Sequence, residues 1–192
     1  MAVRMPPSMV LTQTVAPGLL VAMPQLRDAH FHRAVVLMLE HGPEGSMGLV
    51  VNKASPITLS DVAEGQSLEL PTGREEQQVF AGGPVEGHRG FVLHDASWPA
   101  EKTEIVPGLY LSVTLDSLRP LLKDDSARLR FCLGYAGWGA GQLERELADG
   151  SWLYAEANGP QLLSEEPGQL WERTVRSMGL EPSLLMSGGG FN

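Results

Sequence analysis

The chain has 192 residues, 43% hydrophobic and 19% charged, a length that fits one domain and a core that removes about 70% of the unfolded surface from water, which excludes a disordered chain. Fourteen Lys and Arg stand against 23 Asp and Glu, a net charge of -9, the wrong sign for neutralising many backbone phosphates. The single Cys132 can form no intrachain disulfide, so the composition points to a reducing, cytoplasmic setting.

Residues 1–13 read as a loose leader. The uncharged run from Met5 to Leu26 is broken by Pro6, Pro7, Pro17 and Pro24, so it is not a membrane helix, and it lacks the continuous apolar stretch of a secretory signal. No membrane partner is expected. Leu19 to Met23 is a short apolar run between Gly18 and Pro24, the pattern of a strand buried on both faces. Ala34 to Leu39 and Gly48 to Val51 repeat it, and the Gly- and Pro-rich segment Glu40 to Ser46 between them predicts an antiparallel hairpin.

A short helix is predicted over Leu59 to Glu64, capped by Thr58 or Ser60 and stopped by Gly65. Val79 to Ala81, Gly90 to Leu93 and Leu109 to Val113 read as strands. Asp116 is the predicted N-cap of a helix over Ser117 to Lys123, with Pro120 in its first turn. Leu129 to Leu133 is a further strand. Helices follow over Gln142 to Ala148, with Leu143 and Leu147 on one stripe, and over about Gly168 to Met178, with Trp171, Val175 and Met178 aligned. Residues 183–192 read as a flexible Gly-rich tail. Seven or eight strands and three or four helices without a regular βαβ rhythm give an α+β fold with a mixed, largely antiparallel sheet, and the 22 glycines provide the bends of a sheet that curls on itself.

Two glycine-rich stretches stand out. In Phe131 to Leu147 a strand is predicted to pass through Gly134, Gly137, Gly139 and Gly141 into a helix, whose unpartnered N-terminal amides attract a phosphate or carboxylate. The alternative is structural: glycine lets the loop take positive φ and bury Trp138. Neither the P-loop nor the dinucleotide pattern is present. Gln142 and Glu146 share a helix face and either line a cleft or form a solvated edge. Ala81 to Val85, with Gly82, Gly83 and Pro84, is a second turn of this kind.

His30 and His32 lack the spacing partners of a zinc site, and no metal or cofactor is expected. His41, beside Glu40 in the hairpin turn, is a titratable candidate. Cys132, in an apolar strand, reads as a small hydrophobe. No Gly-x-Ser-x-Gly nucleophile motif is present.

Taken in order, Gly18 to Pro24, Asp28 with Phe31, Glu40-His41, Gly45 to Asn52, Gly82 to Val85, Gly90 to His94, Gly134 to Glu146 and Trp152-Leu153 make the chain resemble the YqgE/AlgH family of bacterial proteins over residues 14–182. The resemblance implies one domain over that range, an α+β fold whose mixed, largely antiparallel branched sheet curls into a pseudo-barrel with short helices packed outside. It implies little about function: the family is largely uncharacterised, and some members carry the label of transcriptional regulator. It places a shared surface near Glu40, His41, Asn52, the Gly82 to Val85 turn with Gly82, Gly83 and Pro84, and Tyr135, Trp138, Gln142 and Glu146, and Gly137 and Gly139 complete the candidate binding residues. Many relatives have Cys before the Glu-His pair; here Leu39 stands there, which removes thiol chemistry from that position.

A distinctive cleft without a complete catalytic set indicates a non-enzymatic regulatory or binding protein, its ligand a small anion or a protein partner. The alternative is a hydrolase or transferase using His41 or Glu146 as acid or base. Direct DNA binding, implied by the inherited label, is opposed by the charge.

Overall fold

The computed structural model describes residues 14–187; the leader at 1–13 and the end of the tail, 188–192, lie outside them. In chain order the elements are β1 (Gly18–Ala22), β2 (Val35–Gly42), β3 (Gly45–Val50), β4 (Ala54–Thr58), α1 (Leu59–Gln66), β5 (Gln78–Ala81), β6 (Val85–His94), β7 (Thr103–Val106), β8 (Leu109–Ser112), α2 (Leu115–Lys123), β9 (Leu129–Gly139), α3 (Gln142–Ala148), β10 (Trp152–Ala155), α4 (Gly159–Ser164), α5 (Pro167–Ser177) and α6 (Pro182–Ser187). The ten strands form one sheet in the order β10-β1-β2-β3-β9-β6-β8-β7, with β5 and β4 branching from β9. All pairings are antiparallel except β5 with β9.

The branch lies where the sequence is richest in glycine. Along one edge of β9, Phe131 to Leu133 pair with β5, and Ala136 to Gly139 pair with β3. Between them Gly134 takes φ +74, and the Gly82-Gly83 link sits in the fork, its Gly82 N–H donating to the Leu133 carbonyl and its Gly82 carbonyl accepting from Val50 N–H. A Cβ on Gly83 would lie 2.1 Å from the Tyr135 carbonyl carbon, and one on Gly134 2.5 Å from the Gly83 oxygen. The two backbones therefore touch directly, which only glycine permits. The segment expected to be a loop is thus the second half of an 11-residue strand.

Both sheet faces are covered, which explains the continuous apolar runs. Leu19, Val21, Leu37, Leu49, Phe91 and Cys132 join one inner cluster completed by Leu162 of α4 and Leu170, Trp171 and Val175 of α5. The alternating residues split into two outer clusters. Leu20, Val36, Val50 and Trp138 pack under Leu143 of α3, and Val79, Val92 and Phe131 pack under Leu59 of α1 and Leu118, Leu121 and Leu122 of α2. A cluster continuous on one side and divided on the other is what a curled sheet produces, and the result is the half-barrel that the glycine content anticipated.

Several local expectations are corrected. Helix α1 is capped by Thr58 in a reciprocal box with Asp61, but it runs past Gly65 and ends at Ser67, whose φ of 51 and N–H bond to Ala63 provide the reversal. Helix α2 is capped by Thr114, not Asp116, because the Thr114 hydroxyl reaches Ser117 N–H; Pro120 is consequently interior, the sixth residue of nine. β4, β7, β10, α4 and α6 were not anticipated, and 183–187, expected in the flexible tail, lie in α6, where Pro182 suits a helix start. Arg130, 4% exposed, donates to the Val51 and Glu165 carbonyls and stacks on Phe80, fastening the α4–α5 link to the end of β3.

Candidate functional site

Eight of the twelve predicted site residues gather at or beneath the tip of the β2–β3 hairpin. Leu39 is an extra residue between the paired Met38 and Glu40, a bulge that re-aims the side chains beyond it. Glu40 lines an open groove of about 490 Å³, whereas His41 turns towards α3. The groove is formed by Glu40, Glu44, Ser46 and Met47 of the hairpin with Val85 of β6 and Tyr135 and Trp138 of β9. Glu40 and Glu44 are exposed, and among the described residues neither is ion-paired. No Lys or Arg lines the groove.

Beneath it, Glu146 is the hub of a closed network. One oxygen accepts from the indole N–H groups of Trp138 and Trp152 at 3.0 and 2.8 Å, and the other from Gln142 Nε2 at 2.9 Å. Gln142 Oε1 in turn accepts from Gly139 N–H. Phe31 packs against both indoles, with ring centroids 5.6 and 6.3 Å away. With three donors on its carboxylate, Glu146 fastens β9, α3 and β10 together and is an internal node, not a solvated helix edge.

His41 is not an exposed turn histidine: Nδ1 lies 2.8 Å from Ser46 Oγ, its cross-strand partner, and Nε2 lies 3.5 Å from Glu144. At the predicted anion site, α3 is a seven-residue helix with Gly141 as its N-cap, no side-chain cap bond, and Gly139 N–H already bonded to Gln142.

Four predicted residues, Glu40, Tyr135, Gly137 and Trp138, line the groove. His41, Gly139, Gln142 and Glu146 support it, and Gly82, Gly83 and Pro84 belong to the fork behind it. Asn52 does not belong here: it sits at the far end of the hairpin, its Oδ1 accepting from Val35 N–H and its Nδ2 donating to the Arg33 carbonyl. Val85, at the end of the Gly82 to Val85 turn, lines the groove as well, whereas sequence reasoning missed Glu44, Gly45, Ser46 and Met47, whose signal was their position in the hairpin turn. It also missed Arg89. Four residues of β6, Glu86 to Arg89, intervene where β9 has only Gly134, and this excursion holds the Arg89 guanidinium 5.9 Å from the Tyr135 ring and 5.1 Å from Phe91.

The AlgH-like family matches residues 19–183. The chain belongs to that family. Among AlgH-like relatives, a UPF0301 protein of Myxococcus xanthus is 57% identical over 180 residues, 94% of this chain and 99% of the relative. One from Stutzerimonas stutzeri is 41% identical over 86% of this chain and 89% of its own length. The solution structure of the AlgH protein from Pseudomonas aeruginosa, 31% identical, superposes with a TM-score of 0.74 over 96% of this chain and all of that one. A crystal structure of a Corynebacterium diphtheriae protein, 25% identical, gives 0.65 over 92% of both. The branched half-barrel is therefore the AlgH-like fold. No helix among the described residues is long and apolar enough to cross a membrane, and no three His, Cys, Asp or Glu among them converge as metal ligands.

Proposed function

We propose that this AlgH-like chain is a non-enzymatic binding module that holds a cationic segment of a protein partner in the groove at the hairpin tip. The observation that carries this reading is the pair of exposed, unpaired carboxylates Glu40 and Glu44 beside the Tyr135 ring and the Trp138 floor. Carboxylates without cationic partners repel a small anion and attract Lys or Arg, and aromatic faces add cation–π attraction. The chain's own Arg89, stacked by Tyr135, shows the chemistry in miniature. The groove is shallow, which suits an extended peptide better than an enclosed metabolite.

The test is fluorescence polarisation of labelled peptides carrying two Arg against matched peptides carrying two Glu. Arg peptides bind, weaken as salt is raised, and lose about tenfold or more in affinity to the Glu40→Lys, Glu44→Lys double variant. Equal affinity of wild type and variant overturns the proposal.

One observation favours a second reading. Ser46 Oγ, His41 and Glu144 stand in the order nucleophile, base, orienting acid. In that reading His41 takes the Ser46 proton as Ser46 attacks an acyl group. It requires a fluorophosphonate to label Ser46 in wild type and not in His41→Ala; an unlabelled wild-type chain removes it. β3 is paired on both edges, so its amides are engaged in the sheet and an oxyanion would find few free donors there.

A further inference from the structure

At the base of the same hairpin the charge reverses. Asp28 to Ala34 form a tight turn in which Asp28 accepts from His30 N–H through its side chain and from Phe31 and His32 N–H through its carbonyl. The turn delivers Arg33 at φ 51, a left-handed conformation that a long side chain seldom adopts. Asn52 fixes it there by gripping the Arg33 carbonyl with one side-chain atom and Val35 N–H with the other. The next residue, Lys53, donates its ammonium to the His32 carbonyl. The Lys53 ammonium is thus anchored on the carbonyl immediately before Arg33, so cations from two separate segments meet at one stretch of backbone. Neither has an ion-pair partner among the described residues, and one oxygen of the turn's own carboxylate, Asp28, accepts from His30 N–H.

Like charges that are partly desolvated repel, and an anion placed between them relieves that repulsion. Burial and the neighbouring Arg33 hold the Lys53 ammonium below the ordinary lysine value. The Arg33 guanidinium lies 5.4 Å from the centre of the Trp171 indole, and its tip touches Met186 Sδ. Met186 in turn forms part of a hollow of about 610 Å³ walled by Met23, Pro24, Arg27, Leu184 and Leu185, with no acidic residue in its lining.

We infer that Arg33 and Lys53 form a binding site for a phosphate monoester, the phosphate between guanidinium and ammonium and its organic substituent in the hollow beside α6. A dianion balances both cations where a monocarboxylate balances one, and a guanidinium fork matches phosphate oxygens. Asn52 is then a positioning residue, acting through Arg33. The site shares no residue with the groove at the hairpin tip, so each stands or falls alone.

The chain contains only three lysines, Lys53, Lys102 and Lys123, which makes Lys53 easy to follow. The full chain is acetylated with an N-hydroxysuccinimide ester in the presence of phenyl phosphate, inorganic phosphate or benzoate, and each lysine is quantified by peptide mass spectrometry. Phenyl phosphate slows Lys53 acetylation saturably, about tenfold or more, and leaves Lys102 and Lys123 unchanged. Inorganic phosphate protects at higher concentration, and benzoate does not protect. Protection is lost in Arg33→Gln and kept in part by Arg33→Lys. An unprotected Lys53, equal protection by benzoate, or protection surviving in folded Arg33→Gln overturns the site. If Arg33→Gln does not fold, phosphorus NMR line broadening of phenyl phosphate decides with Lys53→Gln: loss of binding supports the site, and retained binding overturns it.

Discussion

At the tip of the β2–β3 hairpin, glycine backbones touch, a bulge turns Glu40 outward, and a network centred on Glu146 holds the aromatic floor; at its base, a side-chain amide clamps a strained arginine beside a lysine. The two ends are about 25 Å apart along β2, carry opposite charge and are ordered by different means. The tip depends on missing side chains, because a Cβ on Gly45 would lie 2.4 Å from the Trp138 carbonyl oxygen, on backbone that cannot move aside. The base depends on one side chain, Asn52, that replaces a missing stretch of ladder. A binding surface at the first is protected by sterics, whereas one at the second is only as firm as two hydrogen bonds.

The most severe way to break the contrast is Gly83→Ala, which adds an atom 2.1 Å from Tyr135 at φ +154. It is expected to cost more than about 4 kcal/mol, at the extreme of single substitutions, and to abolish the cooperative urea transition together with both ends. Trp138→Ala comes next at about 3–5 kcal/mol, because a buried indole and a donor to Glu146 are removed; a large shift in the urea midpoint checks it. Asn52→Ala separates the ends. Losing two half-buried hydrogen bonds costs about 1–3 kcal/mol, and phosphate protection of Lys53 drops while the affinity for Arg peptides stays.

Titration acts on the core between the ends. His94 is fully buried, with Nε2 2.9 Å from Ser112 Oγ and Nδ1 unpartnered, and burial lowers its pKa below the ordinary histidine value of 6.5. Below that value the unfolded chain takes up the proton more readily than the native one. Stability is therefore full above about pH 6.5 and falls as the pH drops towards the folded-state value. Cys132 runs the other way: burial pushes its thiol from 9.0 up to about 12, so stability is retained below pH 9 and decreases as pH rises from 9 towards 12. Urea midpoints across pH check both limbs, and His94→Gln flattens the acid one. The smallest effect on stability belongs to Glu40→Lys with Glu44→Lys, within about 0.5 kcal/mol despite the large loss of peptide binding; a greater loss of stability would show the carboxylates to be structural.

The hairpin was legible because its strands are unbroken apolar runs with Gly and Pro between them, and both sheet faces are covered as such runs require. The first half of β9 was legible too, but its second half was not, since glycine ordinarily interrupts a strand, and here it continues one because a second backbone crosses at Gly134. The roles of Glu146 and Asn52 also escaped the sequence. Glu146 meets Trp138 and Trp152 eight and six positions away, and Asn52 meets Arg33 nineteen away, so no local spacing rule connects them. The pairing of Arg33 with Lys53 is similarly nonlocal. At helix ends the error was chemical: Thr114 and Asp116 both cap well, and only the observed bond to Ser117 N–H distinguishes them.

The buried thiol in β9 provides a clock. Cys132 lies between Phe80 of β5 and Phe91 of β6, in the strand that every branch of the sheet shares, and it is the only cysteine in the chain. Its side chain belongs to the inner cluster that α4 and α5 complete, so a thiol reagent reaches it only when that cluster parts, and its labelling rate counts how often the core comes open. For an ordinary stability of about 5–15 kcal/mol those moments are rare, and any ligand that binds either end of the hairpin will slow the count without touching the sulfur.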